Sequence, residues 1–209
     1  MRACSRIISP EPALRASPGR RARLVVMVKE PHPGRVKTRL GHDIGMVGAA
    51  WWFRHQAARL LRELQDPRWQ TILAVTPDRA GLQSRIWPAH LPRIAQGRGD
   101  LGARMGRILR GLPPGPACIV GADIPGLRRA HAARAFAMLG RHDAVLGPAG
   151  DGGYWLIGLR RSAPPPAALF RRVRWSTRHA LGDTRAGLRG LDVGLADCLH
   201  DVDRAADLR

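Results

Sequence analysis

The sequence has few of the residues that build disulfide frameworks or zinc sites. Its three cysteines, Cys4, Cys118 and Cys198, are widely spaced and form no Cys-x-x-Cys pair. The eight histidines form no His-x-x-x-His or His-Glu-x-x-His pair, so no zinc site is predicted. Cysteine used this sparingly is typical of a reducing compartment, and we expect a cytoplasmic protein.

Long apolar runs and aromatic side chains are also scarce. No apolar run approaches the length of a membrane span, and no signal-peptide core follows Arg2 and Arg6. We therefore expect no membrane partner. Aromatic residues make up only 5% of the chain, which disfavours a stacking surface for single-stranded nucleic acid.

Acidic residues are few: the chain has 16 Asp and Glu but 35 Lys and Arg, which gives a formal net charge of +19. Such a charge fits a nucleic-acid partner. The arginines are scattered, however, and this favours an anionic small-molecule substrate on a basic surface, with nucleic acid as the less favoured partner. Only two of the 35 cations are lysines, Lys29 and Lys37, and both lie in one short stretch.

The length of 209 residues and a hydrophobic fraction of 44% predict one domain with a sizeable core. Residues 1–22 are rich in proline and arginine, and we predict that they form a disordered basic extension. The domain is predicted to cover residues 23–209. The oligomeric state is not predicted.

The stretch 24–40 is the first with a chemical pattern. Its apolar run, 24–28, is typical of a buried strand, and a loop with prolines and a glycine follows. In open α/β sheets, loops at the carboxyl ends of strands bind ligands. Since this loop carries a basic cluster, we predict that it binds the phosphates of a nucleotide, although two neighbouring lysines are also compatible with chance. The polar residues of the stretch are Lys29, Arg35, Lys37, Thr38 and Arg39.

The segments that follow alternate between helical and strand patterns. Residues 43–65 have apolar residues at helical spacing, and we expect Trp51, Trp52 and Phe53 to lie in the core. Further helices are predicted over 103–112, 127–139 and 178–189, with a short one over 80–87. Strands are predicted over 70–76, 92–95, 117–120, 143–148 and 191–195, and the segment 151–159 is predicted to be a turn that leads into another strand.

Two carboxylates come directly after predicted strands. Asp123 follows the apolar run 117–120, which is typical of a central parallel strand. A carboxylate there is predicted to bind Mg²⁺ or Mn²⁺ together with substrate phosphates. The alternative is that Asp123 caps the next helix. Asp151 begins a turn with Gly152 and Gly153, and it either faces the same crevice or belongs to a hairpin turn without chemistry.

Two other segments carry weaker patterns. Residues 96–105 contain three glycines that allow close approach of a ligand, and Asp100 is placed to cap the helix that follows. An ordinary strand-to-helix turn would look the same. In the tail, Asp201 and Asp203 alternate around an apolar residue, and they either complete a metal site or offset nearby arginines, which we favour.

Five stretches together resemble a known family, a GT-A-like transferase family long labelled a domain of unknown function. Its members are often described as glycosyltransferases associated with radical-SAM/selenium-domain genes and arsenosugar biosynthesis. The family is also similar to small guanylyltransferases. The resemblance runs in order from about residue 24 to residue 207, through the stretches PHPGRVKTRL, QGRGDLGARM, GADIPGL, GPAGDGGYWLIGL and RWST.

The resemblance implies an α/β fold of the GT-A, nucleotide-diphospho-sugar-transferase type. This is a Rossmann-like three-layer sandwich with a mixed, mainly parallel sheet. It also implies the roles of individual residues: Gly34, Lys37 and Arg39 would hold nucleotide phosphates, Gln96, Gly97 and Gly102 would line the base pocket, Asp123 would bind the metal, and Asp151, Gly152, Gly153 and Tyr154 would face the acceptor.

The expected activity is therefore that of a metal-dependent transferase with Lys37, Asp123 and Asp151 as its catalytic residues. A glycosyltransferase would move a sugar from a nucleotide-diphosphate sugar to a small acceptor. Pro125 stands where many GT-A glycosyltransferases have the second aspartate of an Asp-x-Asp motif. A guanylyltransferase-like nucleotidyltransferase that releases pyrophosphate is accordingly the alternative, and a non-enzymatic nucleic-acid-binding protein is the second.

Overall fold

The computed structural model describes residues 21–208. The predicted extension over 1–22 lies outside the described residues except for its last two positions. Of these, Ala22 already belongs to the first strand, which therefore begins slightly before the predicted boundary of the domain.

The described chain alternates strands with helices, as its apolar patterns predict. The strands are β1 (Ala22–Lys29), β2 (Trp69–Thr76), β3 (Arg93–Ala95), β4 (Ala117–Gly121), β5 (Ala144–Pro148), β6 (Tyr154–Leu159) and β7 (Val193–Leu195). The helices are α1 (Thr38–Ile44), α2 (Met46–Glu63), α3 (Asp78–Gln83), α4 (Leu101–Gly111), α5 (Arg129–Met138) and α6 (Ala180–Ala186), with a short 3₁₀ helix, Ala205–Asp207.

All seven strands form one mixed sheet in the order β3-β2-β1-β4-β6-β5-β7. Parallel ladders join β3, β2, β1 and β4, and β5 and β7 are also parallel to each other, whereas β6 runs antiparallel to β4 and to β5. The strand order reverses between β1 and β4. In open α/β sheets, such a switch point opens a crevice at the carboxyl ends of the strands.

Helices cover both faces of the sheet, so the fold has three layers. Successive side chains of a strand point to opposite faces. Leu24, Val26 and Val28 of β1 therefore pack with α2 and α5, while Val25 packs with α4 on the other face. Strands buried on both sides explain the continuous apolar runs in the sequence.

The predicted single helix over 43–65 is wrong at its start, because α1 ends at Ile44 and α2 begins at Met46. The expected core position of Trp51 is also wrong, since this side chain is 64% exposed. Phe53 is buried as predicted, and Trp52 packs against the core. The helix has apolar residues on two faces, and helical spacing does not tell which of them meets the sheet.

Two local alternatives are decided by the structure. The N-cap of α5 is Arg128, so Asp123 does not cap that helix. Asp100 does cap α4, because its side chain accepts a hydrogen bond from the Ala103 N–H. Among residues 21–208, no helix is long and apolar enough to cross a membrane.

Candidate active site

A cavity of about 610 Å³ opens at the switch point between β1 and β4. It is lined by the ends of β1, β4 and β6, the loops that follow β1 and β4, the start of α4 and the tail of the chain. Residues far apart in sequence therefore meet where this sheet topology is expected to bind a ligand.

Lys37 lies at the centre of the charged part of this cavity. It is the N-cap of α1 and has a left-handed backbone, with φ of 44°. Its neighbour Val36 is buried in the core, which anchors the loop. The Lys37 side chain is only 8% exposed, so its ammonium must be paired.

Three carboxylates converge on that ammonium. The Lys37 Nζ lies 2.6 Å from Asp123 Oδ2, 3.1 Å from Asp203 Oδ1 and 3.6 Å from Asp201 Oδ2. Arg39 Nη1 donates to the other oxygen of Asp203 at 2.7 Å. We call these five residues, Lys37, Arg39, Asp123, Asp201 and Asp203, the charged cluster.

The tail reaches the cluster through the residue between its two aspartates. Val202 is buried against Leu40 and Ala49, and its N–H donates to the carbonyl of Asp123 at 3.4 Å. With Val202 held, the side chains of Asp201 and Asp203 both reach Lys37. The two aspartates do offset cations, as favoured from the sequence, but these cations lie in the cavity.

The acidic neighbours decide the protonation of Lys37. Burial opposes its charge, but attraction and a hydrogen bond to Asp123, with further attraction to Asp203 and Asp201, outweigh burial and raise its pKa. Lys37 is therefore cationic at neutral pH.

Asp201 and Asp203 respond to the cluster in opposite ways. Burial is the main reason that the pKa of Asp201 is raised; attraction to Lys37 opposes this, while repulsion from Asp123, Asp203 and Asp151 adds to it. Burial also acts to raise the pKa of Asp203, but attraction and hydrogen bonds to Lys37 and Arg39 outweigh burial and hold this pKa below its ordinary value. The carboxylates thus outnumber the cations that they contact, which leaves negative charge for a further cation.

The turn between β5 and β6 brings the second predicted carboxylate to the same cavity. Asp151, Gly153 and Tyr154 line it. Asp151 Oδ1 accepts the Gly153 N–H at 2.9 Å, which fixes the turn. Tyr154 and Trp155 pack on opposite faces of the sheet, as their alternation predicts.

The glycine-rich segment before α4 contributes mainly Gln96. This residue is buried, and its Nε2 donates to the carbonyls of Val28 and Ala74 at 3.1 and 2.8 Å. Gly97 donates to Asp78 Oδ1 at 3.0 Å, and a Cβ there would lie 2.5 Å from Arg107. This glycine allows close packing of protein against protein.

The structure brings most of the sequence-predicted site residues to one cavity. Gly34, Gly97, Gly102 and Gly152 do not line it, and their roles in binding stay predictions. The predicted residues that do line it are Lys29, Arg35, Lys37, Thr38, Arg39, Gln96, Asp123, Asp151, Gly153 and Tyr154.

Several lining residues have no ligand-binding role predicted from their local pattern. Trp175, Ser176 and Thr177 belong to the RWST stretch, which carries part of the family resemblance, so that stretch was an available signal. Met27 and Arg104 also line the cavity. Nothing in their local sequence distinguishes them from other strand and helix residues.

The donor chemistry of the charged cluster fits a hard divalent cation. Asp123, Asp201 and Asp203 offer carboxylate oxygens, the ligands that Mg²⁺ and Mn²⁺ prefer. Within residues 21–208, however, no three His, Cys, Asp or Glu side chains are arranged to hold a metal ion. The carboxylates are arranged around the Lys37 ammonium, so a cation would require substrate oxygens to complete its shell.

Comparison with known protein families assigns the chain to one of them. Residues 60–177 match the family DUF2064, described as an uncharacterized protein conserved in bacteria. The chain therefore belongs to this family. No curated protein matches its sequence.

Three solved structures resemble this one. A candidate nucleotide-diphospho-sugar transferase from Desulfovibrio desulfuricans G20 is 29% identical, with a TM-score of 0.77 over 88% of this chain and 83% of that one. Rv0371c from Mycobacterium tuberculosis H37Rv, in complex with manganese, is 16% identical, with a TM-score of 0.56 over 91% and 97%. CMP:2-keto-3-deoxy-manno-octonic acid synthetase complexed with CTP is 12% identical, with a TM-score of 0.55 over 90% and 95%.

These likenesses confirm the predicted fold class. The chain has the Rossmann-like, mixed and mostly parallel α/β fold of the nucleotide-diphospho-sugar transferases. The family resemblance inferred from the five sequence stretches is confirmed as well.

Proposed function

We propose that this protein is a nucleotide-dependent transferase that moves a sugar from a nucleotide-diphosphate sugar to a small acceptor. One observation carries the proposal. Lys37, from the loop after β1, and Asp123, from the loop after β4, meet at 2.6 Å in a cavity at the switch point of the sheet. This places opposite charges where a diphosphate and its cation would bind.

The donor is assigned to the charged cluster. Lys37 and Arg39, with Lys29 and Arg35 nearby in the same cavity, would bind the diphosphate and stabilise the charge that develops on it. Asp123 would hold the divalent cation, Mg²⁺ or Mn²⁺, which would neutralise part of the diphosphate charge. Rv0371c, which shares the fold, was solved in complex with manganese, and this likeness of fold is the support that it gives to the assignment.

The chemical step is assigned to the Asp151 turn beside the cluster. The acceptor hydroxyl oxygen forms a bond to the sugar carbon that carries the diphosphate. The bond from that carbon to the phosphate oxygen breaks, and its electron pair leaves with the nucleoside diphosphate. Asp151 takes the proton of the hydroxyl.

A nucleotidyltransferase is the second candidate, favoured by Pro125 in place of the second aspartate of Asp-x-Asp. In that reaction an oxygen of a phosphorylated substrate attacks the α-phosphorus of a nucleoside triphosphate, and pyrophosphate leaves. The CTP bound by the octonic acid synthetase is in line with this chemistry on the same fold. Product analysis distinguishes the two, because sugar transfer releases a nucleoside diphosphate and no pyrophosphate.

Donor binding is tested by thermal shift with nucleoside triphosphates and nucleotide sugars, each with and without Mg²⁺ or Mn²⁺. A ligand that binds only the folded state raises the melting temperature. We expect a metal-dependent rise with at least one nucleotide sugar, and Asp123→Asn should remove most of it.

Asp192→Asn is the matched control, since Asp192 pairs with His142 and does not line the cavity. It should keep the full ligand-induced shift. An equal shift in the Asp123→Asn variant, or one that needs no metal, would contradict the assignment of Asp123.

A non-enzymatic nucleic-acid binder remains the rival from another class. It requires tight binding to random duplex or single strands that weakens steeply with salt. Filter binding at 50 and 200 mM salt measures this directly. Tight nucleic-acid binding that weakens steeply with salt, together with no thermal shift from any nucleotide sugar, would favour the nucleic-acid-binding function.

A further inference from the structure

The face of the sheet that α4 covers gives the cavity an apolar floor away from the charged cluster. Met27 of β1, Ile119 of β4 and Ile157 of β6 come from three adjacent strands, and all three line the cavity. Leu101 and Met105 of α4 line the same side. These apolar side chains can pack a substrate, and Arg104 of α4, which also lines the cavity, donates its Nε–H to the carbonyl of Gly99 at 2.9 Å.

Tyr154 and Trp175 close the β6 end of this floor, and we call this pair the aromatic wall. Their ring centroids lie 6.4 Å apart at an interplanar angle of 63°. The Tyr154 hydroxyl accepts a hydrogen bond from Thr184 Oγ1 at 3.3 Å, and burial raises the pKa of Tyr154. The aromatic wall is therefore uncharged at neutral pH.

The segment that carries Trp175 has an unusual backbone. Phe170, Arg172 and Ser176 all have left-handed φ values, of 68°, 57° and 58°. Non-glycine residues in this region are strained, and such strain gathers at functional sites. Since Trp175 and Ser176 line the cavity, this strained segment forms part of the cavity wall.

Side-chain contacts hold this segment in place. Asp183 of α6 accepts three hydrogen bonds from Arg174, from its backbone N–H at 3.0 Å and from its guanidinium at 2.9 and 2.9 Å. Thr177 Oγ1 donates to the carbonyl of Arg174 at 2.7 Å. Trp175 lies between these two anchors, so its ring is positioned before any ligand arrives.

Two glycines let neighbouring elements approach this segment. A Cβ at Gly102 of α4 would lie 2.7 Å from both Phe170 and Trp175. A Cβ at Gly152 would collide with the backbone of Arg178. Gly102 and Gly152 were predicted to contact ligands. In the structure, their lack of a side chain allows the segment that carries Trp175 to pack closely against them.

The cationic end of β1 and the aromatic wall lie at different positions across the sheet. Lys29 ends β1 and Tyr154 begins β6, and β4 lies between them, so they stand about 10 Å apart across the sheet. Asp151 lies three residues before Tyr154, lines the cavity and repels Asp201 of the charged cluster. The Asp151 carboxylate would repel an anionic group bound beside it, whereas it would not repel a neutral molecule.

We infer that the aromatic wall binds the acceptor, and that the acceptor is a neutral polyhydroxylated ring, a sugar, stacked on Trp175 with a hydroxyl presented to Asp151. The inference rests on the proposed transferase function. The C–H groups on one face of a sugar ring are slightly positive, and the face of an aromatic ring is negative. Asp151 and the Ser176 hydroxyl supply the polar contacts that hydroxyl groups require.

The test is saturation-transfer NMR on the full-length protein, with and without Mg²⁺ and UDP. The probes are D-glucose, D-galactose, D-mannose and N-acetyl-D-glucosamine, with glucose 6-phosphate, mannose 6-phosphate and adenosine for comparison. At least one neutral sugar should receive saturation at its ring protons. Trp175→Ala should reduce that signal roughly tenfold, and Trp175→Phe should keep a substantial part of it.

Trp51→Ala is the matched control, because Trp51 is exposed and does not line the cavity. It should leave the sugar signal unchanged. If Trp175→Ala does not fold, Gly102→Ala serves as the second variant, because its Cβ must displace Trp175 or Phe170, and it should also weaken the signal.

The inference is overturned if no neutral sugar binds, if only the phosphorylated sugars bind, or if adenosine binds at Trp175 in place of the sugars. A sugar signal unchanged by Trp175→Ala would overturn it as well. Failure of the proposed function looks different, since nucleotide sugars would then give no metal-dependent thermal shift even though the Trp175-dependent sugar signal persisted.

Discussion

Lys37 combines a strained backbone with a buried charge. A left-handed conformation costs a non-glycine residue about 1–2 kcal/mol. Here the cost is offset by Asp123, Asp201 and Asp203, which surround the ammonium. A compact ammonium suits a point where three carboxylates converge, whereas a guanidinium is a planar fork. This gives a physical reason for a lysine at this position in an arginine-rich chain.

Replacing Lys37 by Met should lower the free energy of unfolding by about 1–2 kcal/mol, because it leaves three neighbouring carboxylates without their cation. It should also abolish the nucleotide-dependent thermal shift. Urea unfolding at pH 7 measures the first effect.

Lys29→Met is the matched control, since Lys29 is the other lysine and its side chain is exposed. Its stability should change by less than about 0.5 kcal/mol. A Lys37→Met protein as stable as the wild type would refute the structural role of Lys37.

At the scale of elements, the turn between α2 and β2 depends on Asp66. Its carboxylate accepts the Arg68 backbone N–H at 2.9 Å and the guanidinium at 2.8 and 2.9 Å. The side-chain hydrogen bonds from Arg68 are the main reason that the pKa of Asp66 is lowered to about 2. The turn sets where β2 begins, and β2 is paired with β1 along its whole length.

The lowered pKa of Asp66 predicts a pH dependence of stability. Because its folded pKa lies below its ordinary value of 3.8, its stabilisation is complete above about pH 4 and is lost as the pH falls toward 2. Asp66→Asn should lower the melting temperature at pH 7, and its difference from wild type should shrink between about pH 4 and 2.

Arg68→Gln removes the guanidinium but keeps the backbone N–H, so it should reproduce part of this loss. Melting temperatures of the three proteins at pH 7, 5, 4 and 3 make the comparison. A difference between Asp66→Asn and wild type that does not change with pH would contradict the role of the Asp66 charge.

At the scale of the whole molecule, several arginines have a structural use. Arg93 donates to the carbonyls of four residues in and after α3, at positions 81, 82, 84 and 87. Arg107, Arg160 and Arg161 likewise donate to carbonyls of loops and helix ends. These arginines satisfy backbone groups at the ends of elements, so the high net charge does not by itself indicate a nucleic-acid partner.

Arg93→Met should therefore lower the free energy of unfolding by about 2 kcal/mol, because several carbonyls lose a charged donor. Arg93→Lys should recover little, since one ammonium cannot reach four carbonyls. Arg189→Met, at an exposed arginine, should be near neutral. Urea unfolding compares the three variants, and equal stability of Arg93→Met and Arg189→Met would show that the hydrogen bonds of Arg93 to these carbonyls do not stabilise the fold.

The sequence alone determined the order and type of most elements, because apolar periodicity and the residues at element ends act over short distances, but it did not separate α1 from α2. It also identified the basic loop after β1 and the carboxylates after β4 and β5, because strand ends can be recognised locally. Only the tertiary structure decided that Asp201 and Asp203 join Lys37 and that Trp175 closes the cavity. It also decided that Trp51 faces solvent. These outcomes depend on which face of each element packs against the sheet and on a strand order that brings residues more than 160 positions apart into contact, neither of which local sequence records.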